Sequence, residues 1–282
     1  MEKQFFQEPN VYVGEVSIKV TDLNRSVEFY ERIIGLKVLE RTDKKAALTA
    51  DGTTALVTLE QPEGVTAKSG RTAGLYHFAI LLPSRADFSV FLRHLLETRY
   101  RFGASDHYVS EALYIQDPDD NGIEIYSDRP SSKWSWNGKL VDMATVQLDG
   151  QSVLAESDAP WRGLPAGTIM GHIHLHVGNV ERAEKFYQEG LGFQTVAYYP
   201  QAAFMSTGGY HHHIAVNTWQ GVGAPPAPAA AAGLRWYTLV FPNEDARART
   251  VEQLKSIGAS VVEEGGWYTT SDPAGNVIRL VV

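Results

Sequence analysis

The chain has 282 residues, a net charge of −8 and no long basic run, which argues against nucleic acid or an anionic membrane surface as partner. Cysteine is absent, so disulfides and thiolate metal sites are excluded, and any metal must be held by His, carboxylates or water. No apolar stretch reaches the roughly 18 residues that span a bilayer, and MEKQFFQEPN at the start lacks an apolar signal core, so the chain reads as a cytoplasmic protein with room for two compact domains.

In chain order, the first predicted element is the alternating strand VGEVSIKV. A turn and a helix carrying the pair Phe29-Tyr30 come next, and then Gly35 stands where a helix ends and a new strand, GLKVLE, opens. The second unit begins at residue 74 with the strand GLYHFAILL, a Pro and a helix with an apolar stripe. It closes on DPDDNGIEIYS, a turn followed by an alternating strand. Residues 129–168, with WSWNG and APWRGLPAG, read as a long connector. The third unit, GHIHLHVGNVERAEKFYQEGLGFQTV, repeats the first: strand, turn, helix with Phe186-Tyr187, then Gly192 and a strand. After the loop APPAPAAAAG, the fourth unit repeats the second, from GLRWYTLVFP to DPAGNVIRLVV.

The chain thus holds four β-α-β-β-β modules at 12–62, 74–128, 170–220 and 233–282. They group as 1–128 for modules one and two, 129–168 for the connector and 169–282 for modules three and four. A lone module leaves one sheet face bare, so modules are expected to pair into half-barrels.

The strand starts, Phe-Tyr pairs and Asp-Pro-x-x-Asn turns, all recurring in register, resemble the vicinal oxygen chelate superfamily of glyoxalase I, bleomycin-resistance proteins and extradiol dioxygenases. The resemblance covers nearly the whole chain outside the connector. It implies an α+β fold of four modules paired into two half-barrel sheets. In that superfamily the metal ligands lie early in a module's first strand and near the end of its last. The first-strand position holds Glu15, His77, His172 and Trp236 in the four modules; the last-strand position holds Glu124 in the second and Arg279 in the fourth. The resemblance therefore implies a metal at His77, His172 and Glu124. Two His and one carboxylate suit Fe(II), and Mn(II) accepts the same set. These three meet only if modules two and three face each other, whereas the better-known extradiol enzymes would pair three with four. The long connector gives room for this permuted pairing. His174 and His176 alternate with His172 on one strand, so either could compete as ligand.

The overall pattern is similar to the small bacterial catechol-2,3-dioxygenase type. Those enzymes carry a His-His pair in a strand of the third module, one of which is the acid-base group beside O2. In GGYHHHIAVN the spacing to Ala215 gives that role to His212, with His211 and His213 expected on the opposite strand face. A Tyr ten residues before the carboxylate ligand matches Tyr114, and a His in the preceding turn matches His107, two residues nearer the Tyr than the family places it. The resemblance implies Fe(II)-dependent cleavage of a catechol by O2 next to the diol, giving a 2-hydroxymuconate semialdehyde-type product. The small-molecule partners are then a catechol and O2, with a homodimer open to the fold. A glyoxalase-like isomerase or lyase using Zn, Ni or Mn, and a metal-free binding protein, are the competing readings. The half-barrel of modules one and four is expected to be structural.

Overall fold

The computed structural model describes residues 4–282. Module one comprises β1 (Tyr12–Lys19), α1 (Leu23–Phe29), β2 (Lys37–Arg41), β3 (Lys45–Thr49) and β4 (Ala55–Glu60). Module two comprises β5 (Gly74–Leu81), α2 (Arg85–Thr98), β6 (Gly103–Asp106), β7 (Ser110–Gln116) and β8 (Gly122–Asp128). The connector folds into the ribbon β9 (Trp136–Asn137) and β10 (Leu140–Val141) and the short helix α3 (Gly150–Leu154). Module three comprises β11 (Ile169–His176), α4 (Val180–Lys185), β12 (Gln194–Tyr199), β13 (Ala202–Ser206) and β14 (Ile214–Asn217). Module four comprises β15 (Gly233–Val240), α5 (Glu244–Ser256), β16 (Val262–Glu264), β17 (Trp267–Ser271) and β18 (Val277–Val281).

The four module helices start for the same local reason. Asp22, Ser84, Asn179 and Asn243 sit in extended backbone, and each accepts the N–H three residues on, satisfying a donor that the first turn leaves free. In modules one and three the helix passes into a π-helical turn (Tyr30–Ile34 and Phe186–Gly190), and the paired aromatics stand at that junction. No described helix is long and apolar enough to cross a membrane.

Among the described residues the modules form two eight-stranded sheets, each curled into a half-barrel. The terminal sheet runs β16-β17-β18-β15-β1-β4-β3-β2, from modules four and one; the central sheet runs β12-β13-β14-β11-β5-β8-β7-β6, from modules three and two. The permuted pairing is therefore present. In each sheet the first strands of two modules pair antiparallel, β1 with β15 and β5 with β11, and each pairs in parallel with its own module's last strand. Helices and inward strand faces share one buried core, in which Tyr30, Phe78, Phe88, Phe91, Tyr187, Tyr237 and Phe241 are the large fully covered rings.

The two repeated sequence signatures meet in this core. Tyr30 Oη donates to Asp117 Oδ2 at 3.1 Å, and Tyr187 Oη to Asp272 Oδ2 at 3.1 Å. Each Asp is the first residue of a DPxxN turn and also accepts two backbone N–H groups and the amide of the turn's Asn. A helix of module one is thus tied to the turn of module two, across the two sheets, and a helix of module three to the turn of module four.

Removing the acceptor should therefore cost more than removing one donor. Asp117→Ala leaves several buried donors unsatisfied and should destabilise the fold by about 3 kcal/mol or more, against about 1 kcal/mol for Tyr30→Phe. Urea unfolding of the two variants measures the difference, and equal losses would contradict the shared-acceptor arrangement.

Candidate metal centre

Strand register assembles the site. In the β5–β11 pair Ala79 stands opposite His172 and Phe78 opposite Ile173; in the β5–β8 pair Ala79 stands beside Glu124. Glu124, Ala79 and His172 therefore form one row across three strands, and His77 lies two residues from Ala79 on the same face. Ala79 is fully buried, and its methyl is the smallest side chain of this row. Gly122 admits the close approach of β8: a Cβ there would lie 2.1 Å from the Tyr76 carbonyl oxygen.

His77, Glu124 and His172 are 5%, 2% and 1% exposed, and their candidate ligand atoms all lie within 4.8 Å of one another. Glu124 Oε2 is 3.0 Å from His77 Nε2 and 3.2 Å from His172 Nε2. The His77 contact has the distance of a hydrogen bond but not its direction, so this buried nitrogen has no hydrogen-bond partner. Two imidazole nitrogens and a carboxylate oxygen aimed at one point, one nitrogen unsatisfied, fit a divalent cation better than a hydrogen-bond network. Burial works against the charge on Glu124, yet the adjacent His172 and His77 hold its carboxyl well below the ordinary range. Burial pulls His172 down to about 4 against the opposing pull of Glu124. The direction for the pair is an ionised carboxylate beside neutral imidazole, the protonation state that ligates metal.

His174 and His176 share the face of His172, as alternation requires, but they are engaged elsewhere. Asn217 donates from Nδ2 to His174 Nε2 at 2.8 Å and accepts at Oδ1 from His176 Nδ1 at 2.7 Å. Tyr76, 38% exposed, and Trp219, 45% exposed, stand beside these rings, 5.3 Å apart. A cleft of about 1410 Å³, lined by Tyr76, His77, Tyr114 and His176 among others, reaches the donor set at His77.

Tyr114 lies opposite Glu124 in the β7–β8 pair, with its ring 5.6 Å from that of His77. His107 Nδ1 is 2.6 Å from the Ala144 carbonyl oxygen, which can only accept, so Nδ1 carries the proton. Nε2 is then bare and accepts the Tyr114 hydroxyl at 2.7 Å. The connector, which supplies Ala144, thus orients the His that orients the Tyr. Burial, then the Glu124 charge, pushes the Tyr114 phenol well above its ordinary value, so it remains a hydroxyl.

The histidine run departs from its expected placement. It lies before β14, which begins at Ile214, rather than within a strand. Gly208 and Gly209, both at positive φ, turn the chain out of β13, so strand alternation does not govern residues 210–213. His211 and His212 consequently face each other, Nδ1 to Nδ1 at 2.8 Å, and only His213 points away, against Phe6, Phe193 and Tyr210. The His212 ring lies 4.0 Å from that of His172, beside the three donors. Behind it, His211 Nε2 is 2.9 Å from Asp128 Oδ1, and Tyr210 donates to Asp128 Oδ2 at 3.0 Å. The sequence reading missed Asp128, His211 and Asn217. The available signal for Asp128 was its position four residues after Glu124, on the same face of one strand.

The comparisons with known proteins agree with this architecture. The family model described as Glyoxalase/Bleomycin resistance protein/Dioxygenase superfamily matches residues 12–125 and 169–280. A protein of Bacillus subtilis (strain 168) named catechol-2,3-dioxygenase is 42% identical over 280 residues, covering 97% of this chain and 98% of that one. The crystal structure of a putative dioxygenase from Bacillus subtilis superposes with a TM-score of 0.67 at 11% identity, covering 95% of this chain and 84% of that one. Glyoxalase I from Zea mays superposes with a TM-score of 0.58 at 16% identity, covering 96% and 92%.

Burial of neutral His172 has a measurable consequence without metal. Below the unfolded imidazole's pKa of about 6.5, the unfolded chain takes up a proton that the folded site refuses until about pH 4, so stability falls with pH across that window. Urea unfolding of metal-free protein should lose on the order of 3 kcal/mol from this residue between pH 7 and pH 4. If His172→Asn lost as much over the same range as the unsubstituted protein, the assignment to this imidazole would be wrong.

Proposed function

Because the chain belongs to the Glyoxalase/Bleomycin resistance protein/Dioxygenase superfamily, we propose that it is an Fe(II)-dependent extradiol dioxygenase that opens catechol or a substituted catechol beside its diol, using O2 and giving a 2-hydroxymuconate semialdehyde-type product. The observation that carries this reading is the convergence of His77, Glu124 and His172, with His212 on one side and Tyr114 on the other. The relative named catechol-2,3-dioxygenase, 42% identical over nearly the full chain, supports the same reaction class.

In this reading His77, Glu124 and His172 hold the metal. When bound, divalent iron would lower the pKa of a catechol hydroxyl and allow electron exchange between ring and O2. Mn(II) suits the same donors. The protein's own groups do the rest. Tyr114, kept protonated and with its own O–H committed to His107, which the Ala144 carbonyl fixes in turn, accepts from a substrate hydroxyl and sets the plane of the ring. His212 is also held neutral: burial, then the neighbouring His172 and His211, keep its imidazole well below the ordinary value. A neutral imidazole takes up a substrate proton and returns it when the ring opens. Tyr76, edge-on to Trp219, lines the cleft with aromatic surface suited to a ring substrate.

An isomerase reading would call for a second carboxylate ligand. The residue of β14 that matches Glu124 stands two places on from the ligand-position His in the neighbouring strand's register, and it is Ala215. That position has no ligating atom, which favours the ring-cleaving reading.

Anaerobic loading with Fe(II), then catechol and O2, should give a yellow product with matching O2 uptake; iron bound with neither signal would overturn the proposal. Glu124→Gln should weaken iron binding by roughly 100-fold or more, read as iron content after gel filtration. His212→Phe should keep its iron and lose roughly 100- to 10,000-fold in turnover. Loss of iron in that variant would instead make His212 a ligand.

A further inference from the structure

Behind the proposed acid-base group lies a hydrogen-bonded line that runs to the end of β8 and a second cavity there. Asp128 is the last residue of β8, its side chain 22% exposed, and it lines a second cavity of about 490 Å³ together with Phe5, Arg129, Pro130 and Trp134. His211 is fully buried and His212 nearly so. The contacts run from Asp128 Oδ1 to His211 Nε2 at 2.9 Å, and from His211 Nδ1 to His212 Nδ1 at 2.8 Å. The His212 ring in turn lies 4.0 Å from that of His172, one of the three candidate donors.

The chemistry of each atom then sets the protons. A carboxylate only accepts, so a neutral His211 carries its one proton on Nε2 and leaves Nδ1 bare. That bare Nδ1 accepts from His212, which must be protonated on Nδ1. His212 is left with an unprotonated Nε2 on the edge of its ring away from His211. The surroundings hold this line in place. Tyr210 stacks on His211 at 4.0 Å and donates to the second oxygen of Asp128, while its own oxygen lies 2.7 Å from that of Tyr126. Trp134 from the connector packs on His211 at 5.3 Å. Gly171 leaves room for the Tyr126 hydroxyl, since a Cβ there would lie 1.9 Å from it.

We propose that Asp128 and His211 are positioning residues that fix the tautomer of His212 and carry its proton between the metal pocket and the rear cavity. The inference rests on the ring-cleavage reading for its purpose and on the hydrogen-bond line for its geometry. The transfer balances as three hops of one proton. A substrate hydroxyl proton passes to His212 Nε2, the Nδ1 proton of His212 passes to His211 Nδ1, and the Nε2 proton of His211 passes to Asp128. Both imidazoles end in the opposite tautomer with no net charge gained, and Asp128 exchanges its proton with water in the rear cavity. The reverse hops restore the starting state when His212 protonates the opening ring. A bound substrate that fills the front cleft does not block this route.

The test reads tautomers as well as turnover. In metal-free protein with ¹⁵N-labelled histidine, two-bond proton–nitrogen correlations should show His211 protonated on Nε2 and His212 on Nδ1. Asp128→Ala and, separately, His211→Phe should each abolish the Nδ1 preference of His212, whereas Tyr210→Phe, which removes the other bond to Asp128, should keep it. With Fe(II) and catechol, Asp128→Ala should lose about 100-fold in kcat at unchanged KM and iron content, and added formate should restore part of the rate. His212 protonated on Nε2 in the unsubstituted protein, or a tautomer indifferent to both Asp128→Ala and His211→Phe, overturns the relay. A fall in iron content that accounts for the whole loss overturns it too. Absence of any catechol cleavage by the iron-loaded unsubstituted protein overturns the ring-cleavage reading instead, and the tautomer result stands apart from it.

Discussion

The antiparallel pairing of β5 with β11 is the constraint on which the site depends. Neither strand carries a complete set of donors. His77 and His172 come from modules separated by a connector, and Glu124 comes from the strand on the far side of β5. Register alone brings them together: Ala79 opposite His172, Glu124 beside Ala79, His77 two residues along. A slip of one residue would turn His172 to the other face of the sheet, where no partner waits. Because all three donors stand on strands rather than loops, their spacing is held by backbone ladders. The connector adds its own hold through the Ala144 carbonyl on His107 and through Trp134 packed behind His211.

The same cup was built twice and used differently. In the terminal sheet the positions matching the ligands hold Glu15, Trp236 and Arg279, and Thr58 donates to Glu15. The Arg279 guanidinium lies 4.0 Å over the Trp236 ring and 4.7 Å from that of Trp267. A planar cation between two indoles fills the place where the central sheet gathers nitrogen and oxygen donors. The attraction there is between a fixed charge and ring faces, which needs no ion from outside.

How much of this the sequence disclosed depends on which features are one-dimensional. The modules, and the meeting of His77, Glu124 and His172, were legible because repeats in register convert sequence position directly into place on a strand. The pairing of modules two with three came from asking where those donors could meet. The histidine run was misplaced because two left-handed glycines end the alternation that the reading assumed. The partners of Asn217 and Asp128 were hidden for another reason: each reaches a side chain more than forty residues away, as Asn217 does for His174 and Asp128 for His211. The link between Tyr30 and Asp117 is of the same kind. Both signatures were plain in the sequence, and their contact was not.

The order of strands in the two sheets also sets an order of assembly. The central sheet is complete once β14 has been made, and it draws on one continuous stretch of chain from β5 onward. The terminal sheet joins β1, near the start, to β15 and β18, near the end, so module one has no sheet partner until module four leaves the ribosome. During synthesis the first module must therefore keep the open edge of β1 from other chains while the central sheet forms ahead of it. Closing that long loop costs chain entropy and belongs to the slow, late part of folding. The half of the molecule that lacks His77, Glu124 and His172 is the last to be sealed.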